Sequence, residues 1–325
     1  MTTLPGHLYI LIGPAGSGKN TLMNRAFEAI PSLRQLATAT TRPIRSTEQE
    51  GREHYFLTED EFKKLIEQNA LLEHQNIHQR WYGIIREKLE NELQKGTHML
   101  ADIEVLGAKA VREAFPENVT AIYIQPPNVC KLIDRMTARA EQFSGITHRL
   151  LRVELEAAYA PECNYILIND HIDEASAQFI DIIHSTQNHQ PINIPRPEPM
   201  KVAYQVEIAV TDGTKLLVGA DETPHIQVTY SPTQNPLLPH QYAQEIFHQH
   251  FPNSDGTWLF GGDAEREFMP PSHISCKTSD GVDVITYQYV IHLNHLPSAL
   301  EGYQWGEIVN DSQTHTFLSR NLKSN

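Results

Sequence analysis

Cysteine is scarce in this chain: Cys130, Cys163 and Cys276 are the three among 325 residues. An odd number with no close spacing argues against a disulfide framework or a zinc site, and three unpaired thiols are expected. Long apolar runs are missing too. No stretch approaches the ~18 residues that a membrane span requires. Residues 1–6 lack the basic region and apolar core of a secretory leader. The chain therefore reads as cytoplasmic, with no membrane partner. Basic charge is also short: 26 Lys and Arg face 40 Asp and Glu, a formal charge of −14. Such a surface repels phosphate backbones and argues against a nucleic-acid partner. A small phosphorylated ligand needs only a local cluster of cations.

What is present divides in two. Pro191, Pro195, Pro197 and Pro199 fall within 187–200. Proline at this density cannot continue a helix or a central strand and favours an extended linker. The expected domains are 1–187, a linker over 188–200, and 201–325. In the first, short apolar runs at 8–12, 99–103, 120–124 and 165–168 read as buried strands. Helical patterns lie between them, at 59–69, 84–95, 128–140 and 147–159, and Leu22, Met23, Ala26, Phe27 and Ile30 fall on one helical face. Strands alternating with helices predict an α/β fold, a parallel sheet flanked by helices. After the linker, Tyr204, Val206, Ile208 and Val210 alternate with polar residues, as do Ile285, Tyr287, Tyr289, Ile291 and Leu293. Asp212-Gly213 marks a tight turn before a returning strand, and 240–250 can form a helix. A smaller α+β domain with antiparallel strands is expected.

Gly13-Pro14-Ala15-Gly16-Ser17-Gly18-Lys19-Asn20-Thr21 follows the first strand and opens the first helix. That context makes it a phosphate-binding loop. Glycines let successive N–H groups turn inward, the helix N-terminus adds positive potential, and Lys19 supplies a charge for terminal phosphates. Asn20 stands where a serine or threonine usually ligates magnesium. Its amide oxygen is a poorer donor for a hard cation, with Thr21 next to it. ATP with Mg2+ is the expected pair.

Thr40-Thr41-Arg42-Pro43-Ile44-Arg45 comes next, then Gly51-Arg52-Glu53-His54-Tyr55-Phe56, Leu72-Glu73-His74, Trp81-Tyr82-Gly83 with Arg86, and Leu100-Ala101-Asp102-Ile103-Glu104 with Gly107. Arg42 and Arg45, three apart, can grip a phosphate by paired hydrogen bonds. Glu73 and Glu104 can accept hydrogen bonds from a guanine. Over about residues 5–186 this series resembles the guanylate kinase family, P-loop kinases that phosphorylate GMP with ATP. The resemblance implies that Thr38, Arg42, Arg45, His54, Glu73, Tyr82 and Glu104 bind the acceptor. It places Asp102 with Asn20 and Thr21 near magnesium, Asn169 (followed by Asp170) beside the adenine, and Arg135, Arg139 and Arg149 in a lid over the ATP phosphates. Three positions depart from the family pattern: His54 stands for a tyrosine, Ile84 for a serine or threonine, and Glu104 for an aspartate. Ribose 1,5-bisphosphate phosphokinases, which also lack the serine after the lysine, and non-catalytic guanylate-kinase-like scaffold domains are the alternatives. Residues 201–325 carry no glutamate-rich metal box. Trp258-Leu259-Phe260 before Gly261-Gly262 marks a strand end, and the spacings of His248 with His250 and His292 with His295 point to solvated or core histidines.

Overall fold

The computed structural model of the chain describes residues 4–307 except 47, 78–79, 140, 142, 213–214, 220–225, 253, 255, 260–267 and 294–302. Gly213, Phe260, Gly261, Gly262 and His295 lie outside the described residues. The chain forms two compact units, Met1–Pro127 with Glu156–Pro199, and Asn128–Leu155 with Met200–Asn325. These units cross the linear division at 187–200. Residues 128–155 group with the C-terminal part, and the proline-rich segment groups with the first. That segment is pinned there: Arg196 donates to the carbonyls of Ala160 (3.2 Å) and Pro161 (2.6 Å), and Gln125 donates to the Glu198 carbonyl.

In the first unit the elements run β1 (His7–Ile12), α1 (Lys19–Ala29), β2 (Arg34–Gln35), β3 (Thr38–Thr40), β4 (His54–Phe56), α2 (Glu59–Glu67), β5 (Leu71–Ile77), β6 (Arg80–Ile85), α3 (Arg86–Gln94), β7 (His98–Asp102), α4 (Val105–Ala114) and β8 (Val119–Gln125). After a passage through the second unit come β9 (Tyr165–Ile168) and α8 (Ile172–Gln187). The core sheet has the order β2-β7-β1-β8-β9, parallel throughout. β1 and β8 are apolar on both faces because helices cover both, and β8 is buried at all seven positions. Tyr9, Leu11, Leu22, Ala26, Ile122, Ile124, Phe179, Ile182 and Ile183 form one core cluster between α1, α8 and the sheet.

A second sheet, β4-β3-β6-β5, carries Thr38, His54, Glu73 and Tyr82, four of the residues expected to bind the acceptor. Sequence periodicity does not show these short, half-exposed strands. The helix expected over 84–95 is in fact the end of β6 followed by α3. Ile84 is therefore a strand residue, 1 % exposed.

The second unit contains α5 (Val129–Ala138), α6 (Phe143–Leu150) and the start of α7 (Val153–Tyr159). Thus 147–159 is not one helix. The chain returns as β10 (Lys201–Thr211), β11 (Lys215–Gly219), β12 (Ile226–Tyr230), α9 (Pro239–His250), β13 (Gly256–Leu259), β14 (His273–Ser279), β15 (Val282–Leu293) and β16 (Tyr303–Glu307). Seven strands make one sheet, in the order β13-β15-β10-β11-β16, with β12 on β10 and β14 on β15. The expected antiparallel pairing holds for β11, β12, β13 and β14, but the two longest strands, β10 and β15, pair in parallel from Lys201↔Val282 to Thr211↔His292. Alternation reports which face is buried, not the direction of the partner. The long connection through α9 permits the parallel return. Tyr204, Val206, Ile208 and Val210 share one buried face with Ile285, Tyr287, Tyr289 and Ile291, under α9.

The expectation of three unpaired thiols fails at two positions. Cys130 of α5 and Cys276 of β14 form a disulfide, Cα–Cα 5.2 Å, while Cys163 is free and buried. A separation of 146 residues hides such a pair from any spacing rule. Among the described residues no helix is long and apolar enough to cross a membrane.

Candidate active site

The parallel sheet sets the position of the donor end. β1 is central, and its carboxyl end opens between β7 and β8, where such sheets bind ligands. Register puts Leu11 beside Asp102, so the loop after β1 and the last residue of β7 emerge side by side. Gly13, Gly16 and Gly18 all take positive φ. At Gly18 (φ 99°) a Cβ would also sit 2.1 Å from the Asn169 amide nitrogen. Asn169, buried, donates to the Ser17 carbonyl at 2.7 Å and holds the loop from outside. Helix α1 begins with Gly18 as its cap, with no side-chain cap and no acid in its first turn. Its N-terminal amides are thus left for an anionic ligand.

Lys19 folds over the loop, donating to the Gly13 carbonyl at 2.5 Å, with Asp102 3.7 Å away. Asp102 retains 38 % of its side-chain surface. The protein packed around it still raises its carboxyl pKa by desolvation; the Lys19 ammonium opposes this and the Glu104 charge adds to it. Asn20 and Thr21 are exposed in the first turn of α1. Among the described residues no group of three or more His, Cys, Asp or Glu could hold a metal. One carboxylate with an amide oxygen and a hydroxyl fits magnesium, which keeps several waters and takes further oxygens from a nucleotide.

At the acceptor end, strand pairing gathers residues far apart in sequence. Thr38 lies beside His54 in the β3–β4 register, and its hydroxyl is 2.8 Å from His54 Nδ1. Tyr82 lies opposite Thr40 on the neighbouring strand, its ring 6.3 Å from that of His54. Burial, then the Arg42 charge, lowers the His54 pKa. Arg42 makes a two-pronged ion pair with Glu48, 2.9 Å at each contact, while its guanidinium also interacts with Tyr82 and lies 5.6 Å from the centre of the Phe56 ring. Hydrogen bonds from Arg42, then from the Arg45 backbone, hold the Glu48 carboxyl at about 2. Sequence reading missed Glu48; its only signal was an acid six residues beyond Arg42. The Arg45 side chain is exposed.

Glu73 owes its position to a β-bulge. The β5–β6 register shifts between Leu71 and Glu73, setting Glu73 directly opposite Ile84. Bulges re-aim side chains in this way. Gly107 in α4 makes room: a Cβ there would meet Glu73 Cδ at 3.0 Å and Ile103 at 2.7 Å. Glu73 is half-buried, and desolvation raises its pKa, with Gln75 opposing and Glu104 adding to the shift. The Glu104 charge is felt by both Asp102 and Glu73. A row of carboxylates thus runs from the phosphate loop to the acceptor sheet. A separate cleft of about 460 Å³, lined by Arg34, Arg52, Tyr55, Lys88 and Glu92 among others, shares none of these acceptor side chains.

Arg135, Arg139 and Arg149 belong to the second unit, on α5, at its C-terminal end, and on α6. Arg139 and Arg149 are exposed, and Arg149 pairs with Glu141 at 3.2 Å.

Comparison with known proteins gives the following. The family model described as "Guanylate kinase" matches residues 6–186. A guanylate kinase of Bacteroides thetaiotaomicron is 33 % identical over 189 residues, 58 % of this chain and 93 % of that protein. One of Ralstonia nicotianae is 36 % identical over 184 residues, 56 % and 83 % of the two. The crystal structure of a guanylate kinase from Anaplasma phagocytophilum covers 57 % of this chain and 88 % of its own, at 26 % identity and a TM-score of 0.44.

Proposed function

This chain belongs to the guanylate kinase family, and we propose from that premise that it transfers the γ-phosphate of ATP to GMP, giving ADP and GDP. The observation that carries the reading is the carboxylate row from Lys19–Asp102 through Glu104 to Glu73, with the Arg42–Glu48 pair in the connection between β3 and β4. Such a row joins a phosphate cradle to a base-reading pocket.

Phosphoryl transfer asks a protein for positioning and charge neutralisation. Loop amides and Lys19 hold the β- and γ-phosphates, and Asn169 fixes the loop beneath them. Asp102, Asn20 and Thr21 would hold Mg2+ or its waters, and the bound cation would supply positive charge against the phosphates. Arg42, Arg45, His54, Tyr82 and Thr38 take the acceptor phosphate. Glu48 keeps the Arg42 fork spread while that phosphate is away. Glu73 and Glu104 accept hydrogen bonds from guanine N1–H and its amino group. A phosphate oxygen is already a nucleophile, so no general base is assigned. Arg135, Arg139 and Arg149 offset charge on the transferring group from the lid.

The test is ADP release by the full-length protein with Mg-ATP and, separately, GMP, dGMP, AMP, UMP, CMP and ribose 1,5-bisphosphate. Selective turnover with GMP supports the reading. Turnover with a different acceptor would show that His54, Ile84 and Glu104 have redefined the pocket, and no turnover with any would sink it.

A further inference from the structure

The described apolar residues of the arginine-bearing segment pack into the core of the C-terminal sheet. α5 and α6 span Val129–Ala138 and Phe143–Leu150, below the ~12–15 residues at which an isolated helix becomes even marginal in water. Their apolar side chains, Val129, Leu132, Met136, Ile146 and Leu150, with Val153 just beyond, are buried. They share one cluster with Tyr204, Val206, Tyr287 and Phe247 of the C-terminal sheet and α9.

Two polar anchors add direction to this burial. Asp283 of β15 is 5 % exposed; it accepts from the Val129 amide at 2.7 Å and from the Thr278 hydroxyl at 2.6 Å. Its charge thus sits at the N-terminus of α5, where the helix dipole favours an anion. Tyr204 of β10 is 1 % exposed; its hydroxyl donates to the Leu150 carbonyl at 2.8 Å and accepts from the Glu154 amide at 3.2 Å. It satisfies an unpaired carbonyl at the end of α6 and an unpaired amide at the start of α7. The Cys130–Cys276 disulfide ties α5 to β14 covalently.

We propose that the C-terminal sheet is the body of the lid, with Asp283 and Tyr204 as positioning residues that set where Arg135, Arg139 and Arg149 stand during transfer. This rests on the kinase reading above. It gives the C-terminal sheet a role in the reaction through the arginines that it positions. A phosphate-binding arginine misplaced by about 1 Å costs on the order of 10²-fold in rate, so small losses at the anchors should be read in kcat.

The experiment uses the full-length protein with Tyr204→Phe, Asp283→Ala and Asp283→Asn. Steady-state kinetics is joined to hydrogen exchange of residues 129–150 and of the phosphate loop. Tyr204→Phe and Asp283→Ala should lower kcat roughly ten- to hundred-fold and leave KM for GMP unchanged. Exchange should rise at 129–150 and stay constant at 13–21. Asp283→Asn, whose amide oxygen can still accept from the Val129 amide, should recover part of both. Faster exchange at 129–150 with unchanged kcat would overturn the proposal, as would unchanged exchange or a rise in KM for GMP alone. Should Asp283→Ala fail to fold, Tyr204→Phe, which removes one oxygen and keeps the ring, decides the matter. Hydrogen exchange needs no turnover. An inactive wild-type protein would therefore sink the kinase reading separately, and exchange would still test the scaffold.

Discussion

The donor and acceptor ends of the first unit are built from different parts of the chain. At the donor end, contiguous backbone from Gly13 to Lys19 forms the cradle, and side chains merely brace it: Asn169 from β9's end and Asp102 from β7's. At the proposed acceptor end, side chains from four strands, with Glu104 just before α4, are the candidates for the pocket: Thr38, His54, Glu73, Tyr82 and Glu104. A backbone cradle tolerates changes of side chain as long as its glycines stay. A pocket made of side chains changes its ligand with each of them. On the proposed assignment, the departures at His54, Ile84 and Glu104 bear on which acceptor is used, and Asn20 bears less on whether nucleotide binds.

The largest effects are expected at the phosphate loop. Lys19→Ala is predicted to lower kcat/KM at least ~10²–10³-fold, the loss typical of one donor aimed at transition-state charge, while the melting temperature stays within a few degrees. Gly18→Ala should do similar damage for a different reason, since its Cβ would strike Asn169 at a φ that disfavours side chains. Activity retained in either variant would mean that the loop is not the donor site.

The next largest effect is expected at Glu73→Gln: a fall of about 10–10²-fold in kcat/KM for GMP, from roughly 1.4–3 kcal/mol of lost charged hydrogen bonding, with KM for ATP unchanged. Because the Glu73 pKa is raised, its charge disappears at a higher pH than an ordinary carboxylate's. A pH profile of kcat/KM for GMP should show an acid limb above the usual Glu range, and the variant should lack it. The sign for stability runs the other way. A raised carboxyl pKa opposes folding once the unfolded group is ionised, and acidification relieves that cost. Glu73→Gln should therefore not lower the melting temperature at pH 7.

Glu48 tests the acceptor phosphate grip. Glu48→Gln should raise KM for GMP about tenfold or less by letting the Arg42 fork swing. The folded pKa of Glu48, about 2, lies below the ordinary 4.5, so its stabilisation is present above pH 4.5 and disappears as pH falls towards 2. Thermal melts from pH 6 to 2 should show the wild-type protein losing more stability than the variant over that window.

The smallest effect is predicted for Ile84→Ser. Ile84 faces Glu73 across the β5–β6 pair, and its apolar side chain helps desolvate the acid. A hydroxyl there should move the acid limb of the GMP profile to lower pH and change kcat/KM by about tenfold or less, the ~1 kcal/mol of one hydrogen bond. An unmoved limb would mean that Glu73 is desolvated from α4 and Gly107 instead.

The phosphate loop, the parallel core and the alternating strands of the second unit were legible because each is local: glycine spacing after a strand, buried runs between helices, and a two-residue period. Arg42 could be named from its motif, but its partner Glu48 could not. The acceptor strands escaped because they are short and half-exposed, and no pattern in the sequence indicates a bulge at Glu73.

By itself the sequence determined the phosphate-loop motif and named Lys19 and Arg42 as candidate phosphate contacts, since glycine spacing after a strand and charge type are local features. Tertiary structure alone decided how Glu73 meets Ile84, that β10 and β15 run parallel, that Cys130 joins Cys276, and that residues 128–155 are built into the C-terminal sheet. The physical reason is range: chain stiffness, capping and periodicity act over a few residues. Strand register, disulfide pairing and shared cores depend on surfaces that meet only after the chain has folded.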